Sequence, residues 1–289
     1  MAAGPEKTKP GSRTVALTVL AMIAFAANSL LCRMALAGGE IDPGTFALVR
    51  VASGAATLAV IMFARRGPTL WRPDWAAATA LTAYLLFFSF AYVGLTAGTG
   101  ALILFGAVQL TMFAAALKAG ERLPPLGWAG LAVAAAGLVV LVAPGVSAPR
   151  PLPAAAMAVA GVAWGLYSLL GRSAGDPLAA TARNFVWAAV LVAPFGLFYG
   201  GVVTTSGTGI ALALASGILA SGLGYVIWYA ALAGLTAGSA ATVQLSVPVI
   251  AALGGVAFLG EAVTPRLVLA SAATLGGIAI VLMLRRPAG

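Results

Sequence analysis

Gly94-Leu95-Thr96-Ala97-Gly98 returns, residue for residue, as Gly234-Leu235-Thr236-Ala237-Gly238, 140 positions further along the chain. The same offset carries Gly120-Glu121 onto Gly260-Glu261 and Gly137 onto Gly277. At an offset of 139, Ser29-Leu30-Leu31-Cys32-Arg33 meets Ser168-Leu169-Leu170-Gly171-Arg172. Asp42-Pro43 and Asp176-Pro177 each open an apolar run, with Arg50 and Arg183 eight and seven residues after the aspartates. One match is weak in a chain this rich in Ala, Gly and Leu, but several at nearly one offset indicate a tandem duplication.

What is duplicated follows from composition. Of 289 residues, 62% are hydrophobic and 8% charged, and mean hydropathy is +1.05. A soluble domain carries roughly 25% charged residues, so this chain lacks the polar surface to meet water and is read as an integral membrane protein. Charge, Pro and Gly clusters divide it into ten apolar runs, at about 14–36, 43–64, 75–94, 97–117, 126–143, 153–171, 177–199, 208–232, 236–259 and 265–284. Runs of roughly 20 residues, without the ten-residue alternation of barrel strands, are helices. The first is too long for a signal-peptide core and is read as a retained span. The fold class is therefore all-α integral membrane, with ten transmembrane helices.

The net charge of +9 punctuates these runs rather than forming a patch, so no nucleic-acid partner is implied. Lys7, Lys9, Arg13, Arg65, Arg66, Arg72, Lys118, Arg122, Arg172, Arg285 and Arg286 fall on one side of a ten-span topology, and Arg33, Arg150 and Arg266 on the other. The positive-inside rule makes the first side cytoplasmic, with both termini inside. Five spans per copy is an odd number, so the second copy enters the membrane from the opposite face and the repeats are inverted. The expected division is a tail at 1–13, repeats at 14–143 and 153–284, a linker at 144–152 and a tail at 285–289. Inverted repeats are characteristic of carriers, where exchanging the conformations of two equivalent halves alternates access to a central site.

These features carry a resemblance. The two inverted five-helix repeats, Ala24-Phe25-Ala26-Ala27-Asn28-Ser29 in the first helix, Pro43-Gly44-Thr45-Phe46-Ala47-Leu48-Val49-Arg50 opening the second, and the two Gly-Glu corners resemble the EamA branch of the drug/metabolite transporter superfamily. Within it the chain is most similar to the YddG-type aromatic amino-acid exporters. The resemblance implies an inner-membrane carrier that moves amino acids or related small metabolites outward through a cavity between the repeats.

The single Cys32 and the absence of His exclude an intrachain disulfide, Cys-rich zinc and iron–sulfur sites and imidazole chemistry. No cofactor or metal is expected, lipid and a small-molecule substrate are the expected partners, and no oligomer is implied. All seven carboxylates lie in tails, loops or helix ends, so no acid is available at mid-membrane to carry a coupled proton. The residues alone thus point to a facilitator, whereas kinship with proton-driven exporters points the other way. Glu121 and Glu261 follow Gly at helix ends and are read as capping the next helix. Arg50 and Arg183 lie within spans; each either snorkels or pairs at a helix end, or, for Arg50, meets a substrate carboxylate or forms a gate contact.

Neutral polar and aromatic side chains complete the expected site: Asn28, Tyr84, Phe88, Trp164 and Gln244, with Arg50. At the repeat offset Asn28 aligns with Tyr167 and Phe25 with Trp164, while Tyr84, Phe88 and Tyr92 form one helical stripe. Ser216, Ala220 and Gly224 are read as a small-residue packing stripe, and Trp71, Trp75 and Trp228 as interface anchors. Pro248 removes the hydrogen bond to the Gln244 carbonyl, predicting a kink; Pro194 invites the same comparison. The Gly-Leu-Thr-Ala-Gly turns predict that the third and fourth, and the eighth and ninth, helices behave as hairpins. Against an amino-acid carrier stand a proton-coupled exporter of drugs or other metabolites, a channel, and a non-transporting membrane scaffold; an enzyme would need paired acids or a nucleophile with its base, and none is present.

The orientation is testable by single-cysteine labelling in a Cys32→Ser background. Cysteines at 65, 66, 118 and 286 should react only after permeabilisation, and those at 40 and 150 in intact cells. Protection of position 150 in intact cells would reverse the topology.

Overall fold

The computed structural model describes residues 11–65, 72–145, 147–199 and 205–284. Lys7, Lys9, Arg66, Trp71, Arg285 and Arg286, with most of both tails, lie outside the described residues. Ten helices are long and apolar enough to cross a membrane: α1 (Ser12–Ala37), α2 (Pro43–Ala64), α3 (Trp75–Tyr92), α4 (Ala97–Lys118), α5 (Pro125–Val142), α6 (Pro151–Leu170), α7 (Pro177–Phe198), α8 (Gly207–Leu232), α9 (Gly238–Leu259) and α10 (Pro265–Leu284). No strand occurs among the described residues. Large apolar side chains such as Phe63, Leu152, Leu197, Phe258 and Met283 stand exposed on the rim, as lipid-facing positions do.

The helix ends are written in the sequence. Asp42, Asp74, Thr96, Ser206, Thr236 and Thr264 each accept an amide hydrogen bond from the first turn that follows, satisfying donors that lipid cannot. Asp176 accepts from both Leu178 and Ala179. Gly39, Gly120 and Gly260 close α1, α4 and α9 with positive φ, the left-handed conformation that glycine adopts without a Cβ penalty.

Helix packing follows a pseudo-two-fold exchange of the first five helices with the last five. α2 packs on α7, α4 on α9 and α5 on α10; α3 on α6 is matched by α8 on α1, α4 on α6 by α9 on α1, and α2 on α8 by α7 on α3. The glycines that recur in sequence make one of these crossings. A Cβ on Gly137 would meet Ala270 and Thr274, and one on Gly277 would meet Gly130 and Ala134, so each contact is the other moved by one repeat. α3 and α4 barely touch and instead share α6 as a neighbour, so the expected hairpin is a turn between diverging helices.

Two helices are irregular. α9 is interrupted at Leu245, between Ala237–Gln244 and Ser246–Leu259, where Pro248 cannot bond to the Gln244 carbonyl. α7 runs on through Pro194. α8 widens into a π-helical stretch at Ser216–Leu223, where Gly217 lies against the Arg50 carbonyl and Ser53 of α2.

Gly277→Ala puts a methyl against the Gly130 carbonyl oxygen and 2.6 Å from the Ala134 nitrogen. Backbone cannot yield as a flexible side chain can, so this substitution should lower stability by about 1–3 kcal/mol. Thermal unfolding in detergent reads the loss; an unchanged midpoint would mean that α5 and α10 separate freely.

Candidate functional site

The polar residues of the bundle interior converge where α1, α2, α3 and α8 meet. Asn28 is 7% exposed; its Nδ2 donates to Tyr84 Oη at 3.3 Å, and its Oδ1 accepts from Ser216 Oγ at 2.6 Å. Arg50 is 2% exposed and donates through Nη2 to the same Tyr84 oxygen at 2.9 Å and through Nε to Ser221 Oγ at 3.3 Å. Its guanidinium carbon lies 4.8 Å from the Phe88 ring centre and 5.3 Å from that of Tyr84. The charge is therefore fully inside the protein, and the snorkelling alternative is excluded. Nη1 has no partner. Arg33 pairs with Glu261 on another part of the bundle, and the partners of Arg50 are hydroxyls and rings, with no carboxylate among them.

Aromatic rings enclose this polar knot. Tyr84 stacks on Trp164 with centroids 5.5 Å apart, Phe105 meets Trp164 edge-on at 5.2 Å, and Phe25 touches Trp164, Tyr225 and Trp228 at 5.9–6.2 Å. Trp164 Nε1 donates to Tyr225 Oη at 3.2 Å. The space within the knot is about 20 Å³, room for about one water molecule.

Beyond Phe25, Trp164 and Tyr225 a second cavity of about 950 Å³ extends to Arg65, Arg172 and Asp176, on the face where α1 begins. Its wall includes Gln109, Tyr167, Thr181, Asn184, Tyr229 and Gln244. Thr181 Oγ1 and Tyr229 Oη lie 2.8 Å apart. The volume is in the range of small-molecule sites. The structure thus gathers Asn28, Arg50, Tyr84 and Phe88 on one side of the aromatic layer, places Trp164 in the layer, and leaves Gln244 on the other side, in the open cavity.

The opposite face is sealed. Arg33 Nε pairs with Glu261 Oε1 at 3.0 Å and its Nη1 donates to the Tyr92 carbonyl at 3.1 Å. Glu261 Oε2 accepts from the Ala97 amide at 2.8 Å. Ser206 bonds to Glu40 through both its amide and its hydroxyl, tying α8 to the end of α1. Glu261 therefore caps α4 across the bundle rather than the helix that follows it; Thr264 caps α10 instead. Trp228 corrects another expectation. It is 7% exposed and packed on Phe25, because position 228 lies on the inner face of α8, whereas Trp75 is 54% exposed against Trp187.

Tyr225, Ser221 and Phe105 escaped the sequence reading, and Ser216 is a hydrogen-bond donor as well as a packing residue. Sequence patterning gives no signal for them, since helices apolar on all sides conceal which face is inward. The repeat offset did hold one clue. Tyr84 moved by one repeat falls beside Tyr225, and both rings contact Trp164.

Ten membrane-spanning helices around a cavity open on one face and latched on the other define a multi-pass membrane transporter. The chain belongs to the EamA-like transporter family, whose pattern matches residues 152–283, from the start of α6 to the end of α10. It is 54% identical over 274 residues to an uncharacterized protein of Pseudomonas aeruginosa, covering 94% of this chain and 96% of that one. It is 29% identical over 280 residues to a "probable terminal-alkyne amino-acid exporter" of Streptantibioticus cattleyicolor, covering 93% of each. The threonine/homoserine exporter RhtA of Escherichia coli is 34% identical over 118 residues, 40% of each chain. A solved crystal structure with 23% identity superimposes with a TM-score of 0.69 over 96% of this chain and 99% of that one, agreeing in fold. Family and relatives place the chain among transporters, not enzymes.

Glu261→Gln removes the charge from the latch. The loss of roughly 1 kcal/mol should shift the balance between sealed and open forms about five-fold. In a Cys32→Ser, Ala97→Cys background, reagent applied at the Arg33 face should label position 97 faster by about that factor. An unchanged rate would show that the pair does not hold the seal.

Proposed function

We propose that this protein exports amino acids, aromatic and other neutral ones, or closely related small metabolites, by alternating access through a central site between two inverted repeats at 14–143 and 153–284. In this reading it resides in the inner (plasma) membrane with both termini in the cytoplasm, and the 950 Å³ cavity is the cytoplasmic entrance. The observation that carries the reading is Arg50: a guanidinium buried among rings, without a carboxylate, and with Nη1 unpaired. A buried charge without a counter-ion is costly, and a substrate carboxylate supplies that counter-ion. Stacked Tyr84 and Trp164 then receive an apolar or aromatic side chain. The exporter names of two relatives support the direction and the class of substrate.

Energy coupling follows from where the acids lie. Glu261 is a latch, Asp42 and Asp176 are helix caps, and Glu121 is at the corner after α4. With no acid or His at mid-membrane, the protein acts as a facilitator.

Counterflow in proteoliposomes tests the whole reading. Vesicles preloaded with unlabelled neutral amino acid should accumulate label without a pH gradient, and a gradient alone should drive no uptake. Trp164→Ala should weaken binding of bulky substrates by about 1–3 kcal/mol, roughly 5- to 150-fold, and small ones much less. Absence of counterflow for every amino acid would overturn the proposal, and gradient-driven accumulation would overturn the facilitator part of it.

A further inference from the structure

A second orphaned polar atom lies on the other side of the aromatic layer. Asn184 is 3% exposed, forms part of the wall of the large cavity, and its Oδ1 has no hydrogen-bond partner. Its position is not arbitrary. Asp42 caps α2 through the Thr45 amide and Asp176 caps α7 through the Ala179 amide, three residues on in each case. Arg50 and Asn184 both lie eight residues beyond their capping aspartate, about 12 Å into the helix at 1.5 Å per residue. Since α2 and α7 pack on each other across the pseudo-two-fold, Asn184 stands on α7 where Arg50 stands on α2.

The two equivalent positions offer opposite chemistry: Arg50 Nη1 is an unused donor, Asn184 Oδ1 an unused acceptor. We infer that Asn184 receives the ammonium group of the substrate in the open cavity; this rests on the amino-acid reading above. An ammonium brings three donors and no acceptor, so it satisfies a bare carbonyl oxygen, and the Tyr225 and Tyr229 rings on the same wall add faces that attract a cation. Asn28 cannot serve, because its Oδ1 is already taken by Ser216. Asp176 also lines the cavity; two helix amides on its Oδ1 fix it at the start of α7, eight residues before Asn184. Arg183, the next residue along, lies about 100° around the helix and is not part of the wall.

The neutrality of Asn184 has a consequence for selectivity. The cavity mouth carries Arg65 and Arg172 beside Asp176, a net positive charge that disfavours a bare cation but tolerates a zwitterion whose carboxylate offsets its amine. A carbonyl in place of a carboxylate at position 184 therefore selects amino acids over simple amines.

The test is a ligand-by-variant comparison on the purified full-length protein, with binding read by competition against labelled L-phenylalanine, or against another amino acid that gives counterflow. The competitors are unlabelled phenylalanine, 3-phenylpropionate, which lacks the amine, and phenethylamine, which lacks the carboxylate. Asn184→Leu should weaken phenylalanine about ten-fold or more, the loss of one charge-assisted hydrogen bond, and leave 3-phenylpropionate unchanged. Asn184→Asp should tighten phenethylamine, and this gain stands as the test by itself should the Leu variant not fold. Equal weakening of phenylalanine and 3-phenylpropionate by the Leu variant, or no gain for phenethylamine in the Asp variant, overturns the assignment while leaving the amino-acid reading intact. Wild-type protein that binds no amino acid removes that reading and the assignment together.

Discussion

A guanidinium buried inside a bundle of apolar helices constrains everything around it. Arg50 reaches none of the acids and is stabilised by a tyrosine oxygen, a serine oxygen and two ring faces. Each of those partners is held by a different helix from Arg50 itself: Tyr84 and Phe88 by α3, Ser221 by α8. Asn28 on α1 then ties the knot together, donating to Tyr84 and accepting from Ser216. Low local dielectric strengthens such bonds and also makes the one unused N–H expensive. The helices that carry these groups are consequently fixed relative to one another as long as the knot is dry, and a ligand that reaches it changes that balance.

The pseudo-symmetry explains how one sequence can be compatible with two such balances. Every principal helix contact has a counterpart one repeat away, down to Gly137 and Gly277 at the α5–α10 crossing. The side chains at equivalent places nevertheless differ: Arg50 against Asn184, Asn28 against Tyr167, Phe25 against Trp164. A symmetric frame permits the halves to exchange shapes. In the proposed cycle the unlike residues would make the two access states chemically different, with a carbonyl acceptor offered from one face and a guanidinium from the other.

Fold and site were legible to different depths for a physical reason. Helix limits agree with the structure within about two residues, since Asp-Pro starts, capping threonines and terminal glycines are local signals that need no tertiary context. The corner glycines were legible for the same reason, and Gly120 and Gly260 do adopt positive φ. What a helix faces is not local. Water imposes an amphipathic stripe on a soluble helix, but lipid imposes none, so the inward face of α8 carries no mark and Trp228 and Tyr225 could not be told from anchors. Glu261 was misassigned because its proper partners, Arg33 and the Ala97 amide, are 228 and 164 residues away. Asn28, Arg50, Tyr84 and Phe88 were found together because polar groups and large rings are scarce in membrane interiors and have reason to congregate.

The present conformation also indicates which parts have to yield for access to alternate. The aromatic layer of Phe25, Trp164 and Tyr225 separates the sealed knot from the open cavity, and it rests on α1, α6 and α8. α8 is π-helical beside it, with a register that a small rotation can shift, and α9 is broken at Leu245 where Pro248 leaves the Gln244 carbonyl without its helical partner. These irregularities flank the cavity, whereas the α5–α10 crossing, regular and glycine-packed, stands apart from it. The proposed alternation would use the places where the backbone already departs from ideal geometry, and the latch between Arg33 of α1 and Glu261 after α9 lies on the opposite face. In the alternating-access reading proposed above, opening that latch while α8 and α9 close over the cavity would exchange the environments of Arg50 and Asn184, which is the exchange that inverted repeats make possible.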